Sequence, residues 1–403
     1  MKSPAPSPRD SLLRAPPDFS LVQGGPLFQL LRRSHLTDDA LGLLRRRIVV
    51  FSLLCWLPLL VLSALEGKLL GGKVPIPFLQ DVEVHIRFLL AVPILIYAER
   101  AVHQHTLPLV TQFLERNLIP ASAMPRFDSA IASAYRLRNS VLAEVLLIAF
   151  VYLVGIQIIW RGYAALNMGT WYATPSGEGS GLTLAGIWFV YVSMPIFQFL
   201  LIRWYFRLFI WMRFLWSVSR IDLSLVPTHP DRAGGLGFLS LKIHAFIPLL
   251  VAHGTMLAAL MANRIFYLNA TLLDFKIEMF VLVAFCMCLV LIPLLVFVPQ
   301  LALTRIKGIR EYGTLAERYV RGFDVKWLRG GARPEETLLG SSDIQSLADI
   351  GNSFEVVRTM RAVPVTRDTI VMLVGATLAP ILPLVLTVMP LEELLKRLIG
   401  MLI

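Results

Sequence analysis

The sequence predicts an all-α integral membrane protein: a polytopic bundle of about seven transmembrane helices, several proline-kinked, with cytosolic helical extensions. Three observations predict it. Apolar residues make up 56% of the 403 residues and charged residues 16%, well below the roughly 25% charge of soluble domains. The apolar residues fall in seven blocks, near 48–65, 86–105, 141–160, 183–202, 243–262, 279–303 and 369–388, judged against the roughly 20 residues a bilayer requires. Charge is also one-sided. If all seven blocks cross, residues 1–47, 106–140, 203–242 and 304–368 share a face and hold 29 Lys and Arg, against 7 on the other. Setting aside 304–368, which is slightly too long for the positive-inside rule, leaves 18 against 7. The expectation is a bacterial inner-membrane chain with its N-terminus cytosolic and its C-terminus external.

Each element follows in order. Residues 1–47 form a cytosolic arm in which "LFQLLRRSHL" suits a short helix on the membrane surface, and "RRR" at 45–47 anchors the first span. The second block is free of charge only over 88–98. Arg87 and Arg100 can snorkel to opposite interfaces and lengthen it. A re-entrant hairpin would instead put the basic 106–140 segment outside, so a crossing is expected. That segment should break near Pro120 and Pro125. The external loop 162–182 is Gly/Ser-rich and nearly uncharged.

The fourth block runs into "RWYFRLFIWMRFLWSVSR", giving 38 helix-compatible residues over 183–220, about 57 Å of helix. That exceeds a bilayer, so the helix projects or bends along the surface. Spans one to six, with the junction 203–242, make a membrane domain over 48–303. Residues 304–368 read as two cytosolic helices separated by "GGARP", the second carrying a capping-box pattern at Ser342 and Gln345. This segment is too small and too charged for a catalytic domain. Residues 369–403 supply the seventh span and an amphipathic tail. Glu392/Lys396 and Glu393/Arg397 pair at i,i+4 in that tail, fitting an interfacial helix or a contact with a second copy of the chain.

The net charge of +11 points to anionic lipid headgroups at the cytosolic face as partners, beside the bilayer itself. No dedicated basic domain is present for nucleic acid. Cys55, Cys286 and Cys288 all fall within spans, and the last two face different ways on a helix, which disfavours a disulfide or metal clip. Pro58, Pro93, Pro195, Pro248, Pro293 with Pro299, and Pro380 with Pro383 interrupt six spans. The paired prolines are the hinge candidates.

The most irregular polar stretch is "VPTHPDRAGGLGFL", residues 226–239. Its prolines stop one helix and its glycines permit tight turns before the next. Asp231 is placed to cap the new helix. A sharper alternative has the free N–H groups around Gly234, Gly235 and Gly237 cradle a phosphate or carboxylate, with Arg232 and Lys242. The tripeptide His229–Pro230–Asp231 is also the signature of J-domain cochaperones. There it joins two charged helices of a soluble module, so the likeness ends at three residues. "GGLG" lacks the remainder of a P-loop.

Other ionisable residues fall at the same expected depth. Glu99 and His103 share a face of span two, Glu144 lies inside span three, Arg203 and Arg207 end span four, and His229, Asp231, Lys242 and His244 open span five. Charges in a membrane are costly and usually functional. Three readings stay open: internal ion pairing, a vestibule for ions or anionic solutes, and a divalent metal site lacking recognised ligand spacing. No cofactor is indicated. His253, in mid-span five, is either a hydrogen-bonded packing residue, with Gln157, Gln198 or Thr255 as partner, or a permeation-lining group. The set favours a channel or transporter over a non-catalytic membrane subunit. A membrane enzyme acting on a lipid or phosphorylated substrate ranks last.

Overall fold

Inside lipid a backbone must satisfy its own hydrogen bonds, which helices do without partners. The computed structural model describes residues 19–34, 43–70, 74–157, 170–173, 181–333, 335–338 and 340–387. Among these the chain is helical, and the only β contacts are isolated bridges joining Ile76, Thr170, Ala173 and Leu182.

A short helix α1 (Pro26–Arg33) precedes α2 (Leu44–Leu65). Helix α3 starts at Val82–Ile86, widens through a π turn at Arg87–Ala91 and continues as Val92–Thr106. Then come α4 (Leu109–Glu115), α5 (Met124–Arg138) and α6 (Val141–Phe150, extended by a π turn at Val151–Gly155). The long helices α7 (Leu184–Ser219) and α8 (Phe238–Leu268) follow, with α9 (Leu272–Leu295) after them. The chain closes with α10 (Val298–Phe323), α11 (Ser342–Arg358) and α12 (Arg367–Thr387).

Among the described residues five helices, α2, α7, α8, α9 and α12, are long and apolar enough to cross a membrane, marking this as a membrane protein. The count becomes six if residues Ala121–Arg138 and Val141–Gly155, bent by 47° between them, serve as one span. The expected seven are therefore not all present by length and composition. The difference lies mainly in α3. It does join the two ends of the bundle: Asp81 before it bonds Trp171 and Asn263, whereas Arg116 beyond it meets Asp231. Yet it carries Glu83, Arg87, Glu99 and Arg100. It tolerates them because one side packs into the core, with Phe88, Val92, Leu95 and Val102 fully buried.

The connections sort to two ends. At one end the basic segments meet: Ser224 donates to the Leu118 carbonyl (2.9 Å), Gln300 to those of Ser219 and Ile221, and Arg361 to that of Asp231. At the other end Tyr267 donates to Gln80 and the Leu184 N–H to Glu66. This end-to-end alternation is the arrangement the charge asymmetry predicts.

Most prolines sit where the helix changes pitch. Proline removes an N–H and crowds the carbonyl four residues back. Pro93 and Pro195 directly follow π turns, Pro248 follows a 3-10 turn at His244–Phe246, and Pro380 and Pro383 lie in a 3-10 stretch. Pro299 is a correction: α9 ends at Leu295, and Pro299 occupies the first turn of α10, outside the span. The fifth span likewise starts at Phe238, earlier than expected, because the junction glycines deliver the chain directly into a helix. The capping box at Ser342 does not form. Ser341 holds the N-cap position and Gln345 donates to Asp349 instead. Residues 1–18, most of 162–182, and the tail with Glu392, Glu393, Lys396 and Arg397 lie outside the described residues. Helices α8 and α12 cross closely at Gly254, where a Cβ would collide with the Thr377 carbonyl oxygen.

Candidate functional site

The ionisable residues expected to form one cluster separate into two groups at the basic end. The first is a buried ionic centre. Glu99 on α3 pairs with Arg207 (2.8 Å) and Arg203 (3.6 Å) from α7, and with Arg47 from the first turn of α2. Arg203 also reaches Glu144 of α6 at 3.4 Å. Arg203 and Arg207 share a face of α7 because they are one helical turn apart. Arg47 is 2%, Glu99 2%, Arg207 4%, Arg203 6% and Glu144 7% exposed, so all five charges are withdrawn from solvent. Withdrawal costs several kcal/mol per ion before pairing offsets it. Three guanidinium groups face two carboxylates, an excess of one positive charge. Arg47 Nε and Arg207 Nη2 are buried without a hydrogen-bond partner among the described residues. Arg207 also lies over the Trp204 ring, 4.9 Å from its centroid.

Residues 19–33 cover this centre. Phe19, Leu21 and Val22 are buried, the Phe19 ring standing 4.4 Å from that of Phe214. Ser20 Oγ lies 2.9 Å from His103 Nδ1, Arg138 donates to the Ser20 carbonyl (2.6 Å), and the Leu27 N–H donates to Glu144 Oε2 (2.7 Å). The crossing needs glycine. Gly25 has φ +89°, and a Cβ there would stand 2.9 Å from Glu144 Oε1. Beneath the cover a cavity of about 10 Å³ is lined by Arg138, Arg203, Arg207 and Glu144, room for roughly one water-sized particle.

The second group is the junction. Asp231 accepts from the N–H groups of Ala233 (2.8 Å), Gly235 (3.2 Å) and Gly237 (2.8 Å), and His229 Nδ1 is 2.9 Å away. Burial pushes the Asp231 pKa up, but these three N–H groups and His229 outweigh it and hold the pKa below the usual carboxylate range. Asp231 therefore braces the turn rather than capping α8, whose N-cap is Gly237 with no side-chain cap hydrogen bond, and it takes up the Gly235 and Gly237 N–H groups of the alternative anion cradle. A Cβ at Gly237 would sit 2.8 Å from that of Asp231, so the turn closes only on glycine. Arg232 and His229 line this junction, while Lys242 is buried within the first turns of α8. His244 sits in the 3-10 turn that follows, its Nε2 buried without a partner among the described residues.

His253 stands apart. Its Nδ1 lies 2.7 Å from the Leu249 carbonyl and its Nε2 2.7 Å from Tyr205 Oη. A ring donating at Nδ1 and accepting at Nε2 is neutral and satisfied. Its partner is Tyr205, while Gln198 bonds Gly155 and Thr255 bonds Val251. Sequence reasoning also missed Arg47, Arg116 and Arg361. Among the described residues no three His, Cys, Asp or Glu side chains gather to hold a metal ion. No protein-family model, curated protein or solved structure matches this chain.

Proposed function

We propose that this membrane protein is channel- or transporter-like and passes small anions, with the Arg47, Arg203 and Arg207 centre as its selectivity point. In this reading seven helices cross a bacterial inner membrane, and the basic end is cytosolic. One observation carries it: a buried centre with more cations than anions and guanidinium N–H groups left unpartnered. Isolated charge in a low dielectric is unfavourable, and a passing anion is the species that relieves it. Segment 19–33 is the cover that would have to move, and His253 is a packing residue outside the path.

The test is flux. Full-length protein in liposomes with a chloride-quenched dye inside is challenged with chloride or nitrate. Wild type should carry anions above empty liposomes, Arg207→Gln should lower the flux at least tenfold, and His253→Ala should leave it unchanged. Absence of flux from wild type and from a form lacking residues 1–25 would sink the reading. A second reading, a non-catalytic subunit braced by the same ion pairs, is favoured by the full engagement of all four carboxylate oxygens of Glu99 and Glu144. It predicts no flux at all.

A further inference from the structure

We propose that the cleft between the 230–238 junction and residues 359–361 binds the phosphate of an anionic lipid headgroup. This does not rest on the transport reading, because the cleft shares no residue with the ionic centre.

The cleft measures about 580 Å³, and Arg116, Arg232, Arg361, Asp231, Phe238 and Leu241 are among the residues that line it. Three guanidinium groups therefore meet one carboxylate, which accepts from three backbone N–H groups and stands 3.8 Å from Arg116, leaving a net excess of two positive charges. Two of the arginines are held in place before any ligand arrives. Arg361 donates to the Asp231 carbonyl (2.7 Å), and its own backbone N–H donates to the Arg232 carbonyl (2.7 Å). Arg116 donates to the Gly235 carbonyl (3.2 Å) and stacks 5.0 Å from the Phe238 ring centroid. Donors remain available: among the described residues Arg361 Nε is buried without a partner, and Arg232 is exposed with no ion pair. Fixed arginine forks of this kind match the oxygen geometry of phosphate.

Arg232 adds a conformational argument. Its φ is +52°, a left-handed geometry that glycine or asparagine adopts more readily. Backbone strain of this kind clusters at ligand-binding positions. Position argues for lipid over a soluble phosphate. The cleft lies where two candidate membrane helices begin, α8 at Phe238 and α12 at Arg367. Leu241 is 62% exposed on its rim, so an acyl chain can lie beside a phosphate held at headgroup level.

Purified full-length protein is titrated with dioctanoyl-phosphatidylglycerol, dioctanoyl-phosphatidylcholine or inorganic phosphate, and bound molecules are counted by native mass spectrometry. Wild type should retain phosphatidylglycerol over phosphatidylcholine. Arg232→Asn removes the charge yet suits the left-handed backbone, and should weaken phosphatidylglycerol binding about tenfold, the scale of one charge-assisted contact. Arg116→Gln provides the same readout if the first variant folds poorly. Equal retention by wild type and both variants overturns the site. Displacement of the lipid by millimolar inorganic phosphate overturns the lipid source in favour of a soluble phosphate ligand.

Discussion

The carboxylates of Glu99 and Asp231 lie toward the same end of the bundle and are compensated in opposite ways. Glu99 is surrounded by side-chain charges from two other helices, the nearest in sequence 52 residues away. Asp231 is surrounded by backbone dipoles, all donated by residues within six positions of it. The first arrangement couples helices that cross the bundle; the second shapes one turn. A fault at Glu99 therefore spreads to α2, α6 and α7, whereas a fault at Asp231 stays in the junction.

The sharpest way to break this comparison is Glu99→Gln. It leaves three buried arginines facing Glu144 alone and should destabilise the protein by about 3–5 kcal/mol. The check is chemical unfolding in detergent, where adding Arg207→Gln should recover part of the loss. Asp231→Asn should cost less, about 1–3 kcal/mol, because its partners are local N–H groups and His229, with Arg116 at 3.8 Å the one cation from another segment. Its pH signature is distinct. The Asp231 pKa is lowered in the fold, so its stabilisation is present above the ordinary carboxylate pKa of about 3.9. It is lost as pH falls through the lower folded value. An unfolding series from pH 7 to 3 should show that loss in wild type and not in Asp231→Asn. Gly25→Val forces a left-handed backbone onto a branched residue, costing about 1–2 kcal/mol. It should raise anion flux by loosening segment 19–33, and increase protease cleavage there. Arg321→Ala, at an exposed i,i+4 pair with Glu317, should change neither stability nor flux.

The same contrast explains what could be read in advance. The polar turn around Asp231 is legible because its donors and its glycines lie within one short stretch, although Asp231 braces that turn instead of capping α8. The length of α7 and the gathering of the basic segments at one end were legible because both follow from composition along the chain. Arg47 was read as an interfacial anchor, since nothing local distinguishes it from Arg45 and Arg46; only the assembled bundle turns it inward to Glu99. Tyr205 is not legible as the partner of His253, because it lies 48 residues away on a helix whose sequence stands out for its arginines. Arg116 and Arg361 counted only as members of a charge bias. Length and composition mark five or six spans among the described residues, and α3 falls outside them because burial inside the bundle permits charges that a lipid-facing helix would not carry.

The tucked position of residues 19–33 has a consequence for biogenesis. Translation delivers this segment long before its partners Arg138, Glu144 and Phe214 emerge, all lying more than a hundred residues downstream. What leaves the ribosome early must dock late, after the helical shell it caps has been inserted.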